Sequence, residues 1–205
     1  MSSAALSWGP QVASNTARDL VVANWPTVCD ATFLTGMGVP GLPSPLTTNI
    51  YTSRRAQWTA EQQPAFGLSV LRTTSEIVDA LGFMDQVHEL EVSVNADWGY
   101  YDSNGAAQPL STTAPFTEEV YETCLRAYIE GILIILTSPV YGLVNYDSRN
   151  QNTPGFVQTG IFNCLPGSGV TPTDFAVGLD DTGQTVIQQT VRATILVHQR
   201  RGIAR

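Results

Sequence analysis

Residues 87–98 read V-H-E-L-E-V-S-V-N-A-D-W, with His88, Leu90, Val92, Val94, Ala96 and Trp98 on even positions and Glu89, Glu91, Ser93, Asn95 and Asp97 on odd ones. Successive side chains of a strand point to opposite faces, so this alternation predicts a long strand with one buried face and one wet face. The same alternation recurs over 187–197, where Ile187, Gln189, Val191, Ala193, Ile195 and Val197 share one face. A third strand is expected over 66–72. There Phe66, Leu68 and Val70 alternate with Gly67, Ser69 and Leu71, and Pro64 stands just ahead, where a strand start tolerates a missing N–H. Residues 49–54 and 156–165 are shorter candidates. Strands 66–72 and 87–98 are expected to be neighbours or an antiparallel pair, joined by a linker over 73–86 with a helical turn through Ile77 and Leu81.

Two stretches carry helical spacing instead. Ser14 or Asn15 can cap a helix in which Ala17, Leu20, Val21, Asn24, Trp25 and Val28 form one mostly apolar stripe, and Pro26 should kink or end it. A short second turn through Val28, Cys29 and Phe33 follows. The stronger helix begins at Thr117, with Glu118 and Glu119 in the first turn where the helix dipole favours anions. Val120, Cys124, Tyr128, Ile132 and Ile135 form one row and Tyr121, Leu125, Ile129 and Leu136 the next, a stripe wide enough to cover a sheet face. Glu122, Arg126 and Glu130 sit four apart on the other side as a solvated ladder, and Pro139 ends the element.

Three stretches between these elements read as loop insertions, at 36–48, 99–116 and 140–155. The first opens G-M-G-V-P-G, which matches G-x-G-x-x-G, but Pro40, Pro43 and Pro45 forbid the helix that a dinucleotide fingerprint needs. An extended arm is expected there. Asp102, Ser103, Asn104 and Gly105 lack the alternating carboxylates and distal Glu of a calcium loop and read as a turn. P-G-S-G-V-T-P-T-D and L-D-D-T-G-Q, ahead of the last strand, also read as turns.

Composition changes this picture mainly by exclusion. At 205 residues the chain is most simply one domain, 1–205, and its 43% hydrophobic content supports a substantial core. A formal charge of −8 argues against general affinity for phosphate backbones. All ten cations are Arg, which fits either a GC-rich genome or a need for planar, bidentate contacts at interfaces. Cys29, Cys124 and Cys164 have no metal-ligand spacing, and an odd number fits a disulfide framework poorly; Cys29 and Cys124 fall among apolar neighbours and read as small buried hydrophobes in a reducing compartment. The first ten residues lack the pattern of a signal peptide, and the most apolar run, 132–136, is far short of the roughly 20 residues that cross a bilayer. A cytoplasmic site of assembly is expected.

Candidate chemistry is sparse. With no Lys, Schiff-base and Ser-Lys mechanisms are excluded, and no Walker loop, nucleophile elbow or H-E-x-x-H occurs. His88 shares the apolar parity of its strand and reads as a satisfied core or edge histidine; Glu89 and Glu91 point to the opposite face and cannot join it. Catalytic, cofactor-binding and metal-ligating residues are therefore set at none. The alternative is a small α+β enzyme or ligand-binding domain with a pocket near Cys124 and Tyr128, in reach of His88.

The order of elements is more informative than any motif. An amphipathic helix, a loop, N-I-Y-T-S-R-R-A-Q-W-T-A-E-Q-Q-P-A-F-G-L-S-V-L, the strand H-E-L-E-V-S-V, a second amphipathic helix and a closing strand T-V-R-A-T-I-L-V follow one another. This order resembles the tail terminator family of long-tailed bacteriophages, the minor tail protein U type, and related head–tail neck proteins. In that family an Arg-containing segment precedes an acidic residue, a Pro and a first long strand; Arg54 or Arg55, Glu61, Pro64 and 66–71 stand in those places.

The resemblance implies an α+β fold, with a mixed, largely antiparallel sheet, two amphipathic helices packed on one face and long loop insertions. It implies a structural virion protein rather than an enzyme, needing no cofactor. Such a subunit forms a ring, a hexamer in the usual case, that caps the tail tube and meets the head–tail connector, while DNA passes through the lumen without sequence-specific binding. Candidate subunit contacts are Arg54, Arg55, Pro40, Pro43, Pro45, Glu89, Glu91 and the basic tail of Arg200, Arg201 and Arg205, read as reaching a neighbouring subunit rather than as a frayed terminus.

Overall fold

The structure is a computed structural model that describes residues 9–53, 64–78, 83–101, 104, 107–109, 121–138, 161–166, 171–179 and 185–202. In chain order the elements are α1 (Pro10–Val28), α2 (Ala31–Gly36), a 3-10 turn (Thr47–Asn49), β1 (Ile50–Tyr51), β2 (Ala65–Val78), β3 (Phe83–Tyr101) and β4 (Ala107–Pro109). Then come α3 (Tyr121–Thr137), β5 (Ile161–Pro166), β6 (Thr171–Leu179) and β7 (Thr185–Gly202). The fold is α+β, with a sheet of seven strands among the described residues.

β3 is the centre of that sheet. Along one side β2 runs antiparallel to it, Phe66 opposite Val94, Leu68 opposite Val92 and Val70 opposite Leu90. Along the other side β7 pairs antiparallel, Leu90 opposite Ile195, Val92 opposite Ala193 and Val94 opposite Val191. β1 adds a parallel edge to β2, and β4 folds back on the end of β3. The far edge of β7 is taken by β5 and then β6, both antiparallel to it. The sheet is therefore mixed and largely antiparallel.

The apolar parity of the strands decides which face is buried. Leu90, Val92, Val94 and Val197 are fully buried, and Phe66, Leu68, Val191 and Ile195 join them in one core with both long helices. α3 packs on β3 and β7, α1 on β2, and the helices on each other. In α3 both apolar rows, Cys124, Tyr128, Ile132 and Ile135 beside Leu125, Ile129 and Leu136, are fully buried. Arg126 and Glu122 face solvent at 2.7 Å, as the ladder predicts. The expected start of that helix, 117–119, lies outside the described residues.

Several expectations are corrected. α1 begins at Pro10, not beyond Ser14 or Asn15: Gly9 at φ 105 is its N-cap, Pro10 has no N–H to lose there, and Ser14 is buried inside the helix. Pro26 does not end α1, which runs on to Val28 and closes with Cys29 N–H donating to Trp25 O at 2.8 Å. The turn after it is α2, capped by Asp30, whose Oδ1 accepts from the N–H groups of Thr32 and Phe33 at 2.9 Å each.

Of the supposed linker 73–86, residues 73–78 belong to β2 and 83–86 to β3, so Ile77 is in a strand and not a helical turn; 79–82, with Leu81, lie outside the described residues. After a bulge between Val70 and Arg72 the ladder resumes, Thr73 opposite His88, and continues to Val78 opposite Phe83. Arg72, Thr74, Ser75 and Glu76 are all exposed, so this stretch has no apolar parity for the sequence to display. The 99–116 insertion begins as hairpin, since β3 runs through Tyr101 and pairs with β4; its later part, and 140–155, lie outside the described residues. β6 starts within the first stretch read as a turn, at Thr171, and ends at Leu179, the first residue of the second. β7 passes the expected end at 197 and reaches Gly202.

Candidate interaction surface

The 36–48 segment is not a free arm. α2 ends at Gly36, Gly38 turns at φ 76, and Val39 and Leu42 then enter the core at 3% and 5% exposure. Tyr128 Oη donates to Pro43 O at 2.8 Å, which ties the segment to α3. Of the three prolines proposed as contacts, Pro40 and Pro43 are exposed, but Pro45 is buried within the subunit and offers no surface to a neighbour. Leu46, just past it, is 60% exposed.

Glu89 and Glu91 stand on the odd parity of β3, partly exposed and away from the helices. Arg72 lies opposite Glu89, with its Nε 3.7 Å from Glu89 Oε2. Further along this face burial is uneven. Ser69 and Thr190 are buried, and Asn95 Nδ2 donates to Thr190 Oγ1 at 2.8 Å. Between them Arg192, opposite Ser93, is exposed, so this face offers solvent Arg72, Glu89, Glu91 and Arg192 rather than one continuous buried surface.

Arg200 and Arg201 do not form a tail. They are paired residues of β7, Arg200 opposite Asp85 and Arg201 opposite Met84. Arg200 also has Ile161 of β5 opposite it. The alternation at 187–197 lost its apolar signal before the backbone pairing ended, which is why the arginines read as a terminus. Arg54, Arg55 and Arg205 lie outside the described residues.

His88 is fully buried, and its Nδ1 lies 2.9 Å from Thr73 Oγ1. Cys124 and Tyr128 are also fully buried. The Tyr128 ring sits against Trp25 at 5.5 Å and edge-on to Phe66 at 4.8 Å. Burial pushes the Cys29 thiol up to about 12 and the Cys124 thiol to about 11, and raises the Tyr128 phenol. Thiols held neutral in this way are poor nucleophiles. Among the described residues no three His, Cys, Asp or Glu side chains gather as a metal site, and no helix is long and apolar enough to cross a membrane.

The feature that sequence reasoning missed is an edge. β1 covers β2 only at Phe66 and Gly67, and from Leu68 to Val78 that side of β2 has no partner strand among the described residues. Exposed Arg72 and Glu76, four apart in a run without apolar parity, were the available signal. The chain matches no protein-family model and no curated protein.

Proposed function

We propose that this chain is a structural virion subunit of the tail-terminator type. Copies of it close into a ring, a hexamer, that caps the tail tube and joins it to the head–tail connector. The reading is carried by the architecture: an α+β subunit with both long helices on one sheet face, which leaves a polar sheet end and strand edges for neighbours. A net charge of −8 suits a lumen through which DNA slides without being held. The protein assembles in the host cytoplasm and resides in the neck or tail of the virion.

The enclosure of Tyr128 by Trp25, Phe66 and Pro43 O gives little support to a ligand pocket at that point. The deciding measurement is the mass of the purified chain by sedimentation and native mass spectrometry, with negative-stain images of the particles. A closed ring is expected. A monomer at all concentrations whose melting rises with a small ligand would overturn the reading in favour of the binding domain.

A further inference from the structure

Among the described residues β2 outruns the strand beside it. Leu71, Arg72, Thr74, Ser75 and Glu76 are exposed, while β3 holds the other side through Arg72 opposite Glu89, Thr74 opposite Val87 and Glu76 opposite Asp85. An open edge presents a row of unpaired N–H and C=O groups, and proteins commonly guard it with bulges and charges. Both occur here, yet the charges are also arranged for pairing. Arg72 and Glu76 lie on one face, four residues apart and opposite in sign, with Thr74 midway. Within the subunit Arg72 is 75% exposed and makes only a loose approach to Glu89, at 3.7 Å, and Glu76 is exposed.

Turned about a twofold axis at Thr74, this edge complements itself. Thr74 stands opposite its own copy, Thr73 opposite Ser75 of the second copy, and Arg72 opposite Glu76 of the second copy, twice over. We propose that residues 72–76 of β2 form a docking edge for the same edge of a second copy, paired antiparallel with the two Arg72–Glu76 contacts setting the register. Each Glu76 then gains a guanidinium directly opposite it on the open side of β2. The contact goes beyond ring closure: it joins two free subunits, or two rings back to back, because a twofold contact cannot be the repeating contact of a cyclic ring.

The full chain is tested by sedimentation over a concentration series at low and raised salt. Arg72→Glu and Glu76→Arg should each weaken the twofold association roughly tenfold or more, since both cross-copy pairs become repulsive. An equimolar mixture of the two variants should regain it, because each cross-copy contact then sets a carboxylate of one variant against a guanidinium of the other. The double variant, with the two charges exchanged, should regain it alone. Independently, Thr74→Cys should form a disulfide-linked dimer under mild oxidation that neither the wild type nor Leu46→Cys forms. Single variants that associate like the wild type, a mixture that does not recover, or an uncrosslinked Thr74→Cys would return Arg72 and Glu76 to the role of edge guards.

Discussion

Tyr128 is the residue at which four parts of the chain meet. It rises from α3, packs its ring against Trp25 of α1 and edge-on to Phe66 of β2, and donates its hydroxyl hydrogen to Pro43 O at 2.8 Å. Its place in an apolar helical row was legible, but a partner 85 residues away was not, because no local pattern marks a carbonyl as an acceptor. Tyr128→Phe should cost about 0.5–1.5 kcal/mol, the usual net worth of a hydrogen bond, and Tyr128→Ala about 3–5 kcal/mol through the cavity it leaves. Denaturant midpoints measure both; equal losses would show that the hydroxyl contributes nothing. One turn on, a Cβ at Gly131 would stand 2.6 Å from Cys29 Sγ and 2.8 Å from the Trp25 ring. Alanine is the better helix former by about 1 kcal/mol, yet overpacking costs about 1–3 kcal/mol, so Gly131→Ala should lower stability despite its propensity. The buried thiols add a pH signature. Their folded pKa values, about 12 for Cys29 and about 11 for Cys124, lie above the ordinary 9.0. The stabilisation from keeping them neutral is thus fully present below pH 9.0. It falls as pH rises through 9.0 to 11 and beyond, because the unfolded chain ionises first. Melting curves should show that decline, and it should flatten in a Cys29→Ala, Cys124→Ala double variant.

At the scale of elements, the 36–48 segment shows how a composition argument and a packing argument diverge. Its prolines and glycines announced an extended arm, and helix is indeed absent between Gly36 and Thr47. Two apolar residues among them, Val39 and Leu42, were the sign that the segment returns to the core, and isolated apolar residues in a Pro/Gly run carry no period to read. Excising 38–44 is therefore expected to destabilise the subunit itself, not merely to free it from its neighbours. Point changes separate the two effects. Leu42→Ala, at 5% exposure, should cost about 2–5 kcal/mol, whereas Leu46→Ala, at 60%, should stay within about 0.5 kcal/mol of wild type. Comparable losses at the two positions would mean that the segment is not anchored through Leu42. The hairpin teaches the complementary lesson. Alternation located β2 and β3 wherever one face was covered by helices, and failed beyond the bulge at Leu71, where backbone pairing and polar side-chain bonds such as Gln86 Nε2 donating to Ser75 Oγ hold the strands.

For the whole molecule, the sheet has a helix-covered half, which the sequence displayed through its apolar parity, and a polar end, which it did not. At that end Glu76, Asp85 and Arg200 stand at one register position in successive strands β2, β3 and β7. Removing the chain after Gln199 is then a change to the sheet before it is a change to any assembly. The lost residues, Arg200 to Gly202, pair with Phe83, Met84 and Asp85, so those β3 residues lose their ladder partners on the β7 side. Each ladder hydrogen bond is worth about 0.5–1.5 kcal/mol net, so lost strand pairing should dominate the effect. Hydrogen exchange is the direct measurement, since it resolves local opening from global unfolding. Truncation should speed exchange at 83–85 and at the β2 residues opposite them, while amides of 90–96 under the helices keep their protection. Arg200→Gln with Arg201→Gln in the full-length chain should leave that pattern nearly unchanged. A truncated chain that exchanges like the wild type at 83–85, yet no longer assembles, would instead show that the arginines act on a neighbouring subunit.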